Sequence, residues 1–387
     1  MPSPTRRRIA YYSINDPLDK RSWSGITYYL GQTLQQDIGD VHFLGPVKIP
    51  WLLDKTIRAL QKLSRFLFRS EWIPKYSLLK NIYAVWVLKS RMRGKKYDLL
   101  VAPAAASELG YLNTRLPIVY FGDATYKVYS ETYEKEFKNL NPFSRWEGNH
   151  LEKRALKKSD LIIFSSWWAA RSAIYDYGVP ARKVEVIQMG ANIDEVPKRE
   201  VIFKKEENKT LSLLFLSVDW DRKGGSIAFD AMKQLHGQGM PVKLIVCGCI
   251  PPPAFVHSCM EVIPFLNKNE ANDFKKLVQL LSTVHFLLLP TRADCTPLVN
   301  CESNAYGVPA ITTDVGGISD GVIDGVNGYC LPLQADGTAY ASLIAEIFSD
   351  KERYHQMILS SRQRFEEELN WKKFAEHFGQ ALQKHAI

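Results

Sequence analysis

The chain is poor in the residues that staple or anchor a protein from outside its own core. Its six cysteines all lie between Cys247 and Cys330, and none stands in a Cys-x-x-Cys pair. That excludes a disulfide framework spread along the chain and argues for reduced, cytoplasmic usage. The tight "CGC" of 247–249 reads as the end of a strand, not as a zinc site. The eight histidines form no pair at metal-ligand spacing; His150, His236, His257 and His285 read as ordinary surface or core residues. No apolar run approaches the ~20 residues needed to span a bilayer. The start, "MPSPTRRRIAYYSI", follows its basic triplet at once with strand-like residues, so no signal peptide is expected there. The sequence offers no nucleic-acid module or aromatic stacking platform, which argues against a nucleic-acid partner despite the basic charge.

What is present is an ordinary globular composition on a long chain. At 387 residues two domains are the prior. The hydrophobic fraction of 46% and charged fraction of 24% suit buried cores, and the net charge of +9 suits an anionic ligand or surface. Short apolar runs alternate with helix-like segments. "RIAYYSI" (8–14), "VHFLG" (41–45), "YDLLVAP" (97–103), "LPIVYFGD" (116–123), "DLIIFSS" (160–166) and "VEVIQMG" (184–190) form one series. "LSLLFLSVD" (211–219), "VKLIVCG" (242–248), "MEVIPF" (260–265), "VHFLLLP" (284–290), "PAITTD" (309–314) and "YCLPL" (329–333) form a second. Such runs predict strands buried on both faces, hence parallel sheets covered by helices. The expected layout is an N-terminal domain over 1–193, a linker over 194–210, a second domain over 211–370, and a last helix over 371–387.

Residues 51–96 stand apart. They hold twelve Lys or Arg against Asp54 and Glu71, with Leu60, Leu63, Phe66 and Leu67 at helical spacing. Two roles are open to this stretch. One is a pair of surface helices packed on the N-terminal sheet. The other is a basic amphipathic face that meets anionic membrane.

The stretch "PTRADCTPLVNCESNAYGVPAITTDVGG" (290–317) carries the chemistry. It follows the apolar strand "VHFLLLP" and sets Asp294 and Glu302 eight positions apart. Thr296 is a good N-cap and Pro297 suits a first helical position, which predicts a helix from Pro297 to about Tyr306, closed by Gly307. The N-terminus of such a helix attracts an anion, for which phosphate is the natural guest. Carboxylates beside an anion need other partners, and vicinal sugar hydroxyls supply them. A nucleotide sugar offers both.

These residues resemble the signature of glycosyltransferase family 4, the glycogen synthase-like or group 1 transferases, which are retaining enzymes of GT-B fold. The resemblance covers nearly the whole chain and is strongest over about 155–333. It implies two Rossmann-like α/β domains facing each other across a cleft, with C-terminal helices crossing back to the first domain. By the resemblance Glu302 would hold the ribose hydroxyls and Asp294 the donor-sugar hydroxyls. Cys295, Thr296, Pro297 and Leu298 would supply backbone amides to sugar and phosphate. In "LSVDWDRKGG" Lys223 matches the family's diphosphate-binding lysine, whereas Val218 stands where the family has arginine; Arg222 is the candidate replacement. Ser24-Gly25 matches the glycine-rich loop near the donor phosphate. Asp123, in "YFGDATY", stands where many members have an active-site histidine; it either orients a substrate hydroxyl or caps the following helix through Ala124 and Thr125.

The implied reaction moves a sugar from a UDP- or GDP-sugar to a glycan or lipid-linked acceptor, with retention. No cofactor and no metal are expected, because no Asp-x-Asp metal motif is read in the chain and because basic side chains and a helix end can neutralise the diphosphate. The setting would be cytoplasmic or peripheral on the inner face of the cytoplasmic membrane, in glycolipid or surface-polysaccharide synthesis. Two alternatives stay open: a catalytically degenerate GT-B scaffold or partner subunit, and a GT-B nucleotide-sugar epimerase.

Overall fold

A computed structural model describes residues 6–387. The expectation about the first residues of the chain therefore lies partly outside what is described. The chain divides into two compact units, one of residues 1–187 and 375–387, the other of residues 188–374.

The first unit holds strands β1 (Arg7–Tyr11), β2 (Gly39–Phe43), β3 (Leu99–Pro103), β4 (Ile118–Gly122), β5 (Leu161–Phe164) and β6 (Val184–Val186). Its helices are α1 (Ile26–Asp37), α2 (Trp51–Phe68), α3 (Leu78–Met92), α4 (Ala106–Leu109), α5 (Tyr126–Thr132), α6 (Pro142–Lys158) and α7 (Trp167–Tyr175). The second unit holds β7 (Leu211–Leu216), β8 (Val242–Cys247), β9 (Met260–Ile263), β10 (Phe286–Leu289), β11 (Ala310–Thr313) and β12 (Gly328–Leu331). Its helices are α8 (Gly225–Gly237), α9 (Ala271–Thr283), α10 (Leu298–Ala305), α11 (Ile318–Gly321), α12 (Gly337–Ser349) and α13 (Lys351–Glu367); α14 (Trp371–Lys384) runs from the second unit into the first.

Each unit is one six-stranded sheet, in the orders β2-β1-β3-β4-β5-β6 and β12-β11-β10-β7-β8-β9. All pairings within them are parallel. The central strands are buried on both faces: Leu99 to Ala102, Leu161 to Phe164 and Phe286 to Leu289 are almost wholly covered. This is why they read as unbroken apolar runs.

The strand order decides where ligands can bind. In the first sheet the chain leaves β1 for β2 on one side and then crosses to β3 on the other. In the second it leaves β7 for β8 and β9, then crosses to β10. Loops diverge at the carboxyl ends of β1/β3 and β7/β10, the switch points where open α/β sheets form crevices.

Two boundary segments stand out. Residues 194–210 belong to the second unit. Within them Arg199–Glu207 forms a 3-10 helix whose Ile202 and Lys205 are buried, the Lys205 ammonium donating to the Tyr306 carbonyl. The charged composition there hides a packed segment. At the other end residues 375–387 belong to the first unit, where Lys384 pairs with Glu185 at 2.6 Å and Arg7 donates to the Ile387 carbonyl at 2.7 Å.

Candidate functional site

In the second unit the loops after β7 and β10 are brought together by glycine and by arginine. Gly224 has φ +74°, and a Cβ there would run into the Pro290 carbonyl. Only glycine lets the β7–α8 turn lie this close to the end of β10. Arg222 then reaches across: its Nη1 donates to the Ala293 carbonyl at 2.9 Å, and Arg292 N donates to the Arg222 carbonyl at 2.7 Å. Gly316, φ +63°, closes the far side, since a Cβ would overlap the Asp294 carbonyl; Gly317 N donates to the Cys295 carbonyl at 2.8 Å.

This clasp places Lys223 on Asp294, a pair whose side chains are 11% and 10% exposed. Burial, helped by the neighbouring Arg222 guanidinium, pushes the Lys223 ammonium down to about 7. Cys295 and Asp219 oppose that loss of charge. Asp294 Oδ1 also accepts from Cys295 N at 2.9 Å. The Cys295 amide, expected to face a ligand, is thus already engaged.

The helix begins one residue later than expected. Pro297 is its N-cap, with ψ 113° still extended and no side-chain capping bond, and α10 opens at Leu298. Asn300 N donates to the Pro297 carbonyl at 3.1 Å, so the first turn is tight. Leu298 and Val299 open the helix with N–H groups that have no carbonyl a turn before them. Gly307, φ +62°, ends it as expected.

Glu302 lies in the middle of α10, 1% exposed. Its Oε1 accepts from Lys268 Nζ at 2.5 Å, while its Oε2 has no partner. Burial raises its pKa, and Lys268 works against that rise. Lys268 was not foreseen as a partner: it sits in the turn "LNKNE", 34 residues before Glu302, and no local pattern joins the two.

Asp219 and Asp221 do stand in an Asp-x-Asp spacing that can hold a divalent cation, which corrects the expectation that the chain carries no such motif. Asp219 is committed to the turn, its Oδ1 accepting from Arg222 N at 3.0 Å and its Oδ2 from Arg222 Nε at 3.2 Å. Val218, at the position of the family arginine, is 71% exposed and contributes no charge.

The first unit carries a second polar group at its own switch point. After β1 the chain passes through three left-handed residues, Trp23 (φ 47°), Ser24 (φ 55°) and Gly25 (φ 90°), before α1 starts at Ile26. A tryptophan in this region is strained. It is held there as its indole N–H donates to Asp123 Oδ2 at 3.3 Å and its ring lies 5.9 Å from that of Phe121. Asp123 does not cap α5, whose N-cap is Thr125. Desolvation raises the Asp123 carboxyl, with Trp23 opposing.

The same unit also buries acidic groups that no local pattern announces. Glu108 and Glu152 are buried, and burial pushes Glu152 up to about 8. Lys75 opposes the rise at Asp123, Glu108 and Glu152 alike. Glu152 Oε1 and the hydroxyls of Tyr12 and Tyr126 have no hydrogen-bond partner.

Comparison with known proteins decides the family. The model described as "Glycosyl transferases group 1" matches residues 197–364, and that of "Glycosyltransferase Family 4" matches residues 27–195. The chain belongs to the group 1 glycosyltransferases, of GT-B type. Salmonella typhimurium WcaL, named as a colanic acid biosynthesis glycosyltransferase, is 24% identical over 295 residues, 73% of this chain and 68% of its own length. The amylovoran biosynthesis glycosyltransferase AmsK of Erwinia amylovora is 23% identical over 56% of this chain and 54% of its own. Among solved structures, sucrose-phosphate synthase from Thermosynechococcus elongatus superposes with a TM-score of 0.67 at 17% identity, over 98% of this chain and 99% of that one. Anabaena HepE, solved in complex with UDP and glucose, gives 0.66 at 16% identity, over 98% and 100%. At such identities the structural likeness speaks for the fold alone.

Proposed function

We propose that this group 1 glycosyltransferase is a retaining, metal-independent enzyme that takes its sugar from a nucleoside-diphosphate sugar. The observation that carries the proposal is Glu302: a buried carboxylate with one oxygen unpartnered, on the helix whose N-terminus follows the Asp294 loop. A buried acceptor left open is costly unless a ligand completes it. Ribose hydroxyls are donors of the right kind. Sugar hydroxyls would share Asp294 with Lys223.

In the proposed reaction the glycosyl bond opens towards an oxocarbenium-like transition state, and negative charge grows on the diphosphate. Arg222, Lys223 and the amides opening α10 would meet that charge, and stabilisation given to the transition state speeds the step. The departing phosphate oxygen takes the acceptor proton as the acceptor attacks from the same face, which retains configuration. Asp294 and Glu302 position substrate; they do not act as an acid/base pair, unlike the carboxylates of glycosidases. Asp123 is the candidate to orient an acceptor or donor hydroxyl. The solved HepE complex with UDP-glucose supports a UDP-sugar donor. The names of WcaL and AmsK support a role in polysaccharide biosynthesis; a glycan or lipid-linked acceptor, met at the inner face of the cytoplasmic membrane, is part of the proposal.

The test is calorimetric titration of the protein in EDTA with UDP, GDP, ADP and their glucose, galactose and mannose conjugates. One base should bind, and Glu302→Ala should abolish or strongly weaken that binding. A folded protein that binds none of them refutes the proposal and favours a degenerate scaffold.

A further inference from the structure

Helix α2 is amphipathic, yet the first unit covers little of its apolar side. Ile57 is the residue of this 18-residue helix that is fully buried. At ~100° per residue, Leu52, Leu60, Leu63, Phe66 and Leu67 share an arc of about 120°. All five are exposed, Phe66 by 82%, Leu52 by 67% and Leu67 by 57%. Lys55, Arg58, Lys62 and Arg65 share a neighbouring arc of about 80°. The Ile57 side is the packed edge, and there the Asn141 amide donates to Ser64 Oγ and Ser70 Oγ at 3.2 Å each. Those bonds bring the start of α6, with exposed Phe143 and Trp146, to the C-terminal end of α2. On α3, Leu79, Ile82 and Trp86 are also exposed, at i, i+3 and i+7.

We infer that α2 is an interfacial helix that lays its apolar arc into the headgroup–acyl boundary of an anionic bilayer, with its lysines and arginines at the phosphates. The occupant follows from charge and shape together. Residues 51–96 hold twelve cations against two carboxylates, and an exposed apolar arc flanked by cations suits anionic lipid. Two of the cations are already paired on the surface, Arg58 with Asp54 and Arg65 with Glu71. Lys55 lies over the Trp51 ring, 4.8 Å from its centroid, an arrangement suited to an aromatic at the membrane interface. No described helix is long and apolar enough to cross a membrane. Contact in the interface plane is the mode that the pattern allows. The inference does not depend on the transfer chemistry.

The experiment is co-sedimentation of the full chain with phosphatidylcholine vesicles, with and without phosphatidylglycerol, and no nucleotide present. The wild type should bind the mixed vesicles at least about tenfold more tightly than phosphatidylcholine alone, and added salt should weaken that binding. Phe66→Asp/Leu67→Asp should lose at least about tenfold in binding with an unchanged melting transition, because both side chains already face solvent. Lys55→Gln/Lys62→Gln should lose the preference for phosphatidylglycerol. Absence of wild-type binding to mixed vesicles overturns the inference, as does equal binding by both variants. It is also overturned if the wild type ignores vesicles and sediments as a dimer that the Phe66→Asp/Leu67→Asp variant dissociates; the face would then join two copies.

Discussion

Truncating Glu302 to alanine should separate ligand binding from stability. In the free protein Oε1 is held by Lys268 at 2.5 Å and Oε2 is open. Oε2 is thus the atom left to accept a donor hydroxyl. A hydrogen bond to a charged acceptor contributes about 1.5–3 kcal/mol. At about 1.4 kcal/mol per tenfold, nucleotide affinity should fall about 10- to 140-fold. The folded state has less to lose. Burial already opposes ionisation of this carboxyl, and Lys268, with 22% of its side chain exposed, can turn to water. Glu302→Gln keeps the volume and a neutral acceptor, so its loss should be smaller, in line with about 0.5–1.5 kcal/mol for a neutral bond. The assay is calorimetric titration with the nucleotide that the wild type prefers, beside thermal unfolding of each variant. Unchanged affinity in Glu302→Ala would remove Glu302 from the site. A loss of binding matched by collapse of the melting transition would make it a structural residue.

Lys223→Met should lower turnover about 100-fold or more while the melting transition moves little, because the side chain is placed for charge that appears in the transition state; equal falls in both would return Lys223 to a structural turn. Glu152 holds its proton in the folded state up to about 8 but only to about its ordinary 4.5 when unfolded, so its contribution is fully present below that value and is lost as pH rises towards 8. Urea midpoints across this window should decline with pH, and Glu152→Gln should flatten the decline; an unchanged slope refutes the assignment. Lys268→Met removes what opposes the raised pKa of Glu302, so its carboxyl should shift further up and donor affinity should become more dependent on pH, rising with pH as the carboxylate forms. Titrations across a pH series in both proteins check this, and an unchanged pH dependence would mean that Lys268 does not govern the charge of Glu302.

The sheets were legible because their strands are buried on both faces. Leu99 to Pro103 or Phe286 to Leu289 can hardly be anything else in a chain that alternates with helical stretches. The packing within segment 194–210 was not legible because composition reports the exposed residues, and the burial of Ile202 and Lys205 is enough to fasten it. The helix start at Leu298 was missed by one residue, since proline can close a cap as well as open a helix.

Of the site, the residues that follow one another in sequence could be read, but their pairings could not. Asp294 and Glu302 share a loop and the helix after it, and spacing alone makes them neighbours. Lys223 meets Asp294 across 71 residues, joined by the strand order that sets β10 beside β7, and Lys268, in the turn after β9, meets Glu302 across 34. Each carboxylate of the motif is therefore already matched by a lysine in the free protein. That changes what binding must accomplish. In the proposed complex a nucleotide sugar brings hydroxyls for the carboxylates and a diphosphate for the cations, so binding is an exchange of partners rather than the filling of an empty charge. A ligand with phosphate but no ribose would leave Glu302 Oε2 open, and one with ribose but no phosphate would leave the lysines on their carboxylates. Inorganic pyrophosphate and a free nucleoside should each bind far more weakly than the nucleoside diphosphate, and their separate binding energies should not sum to its own.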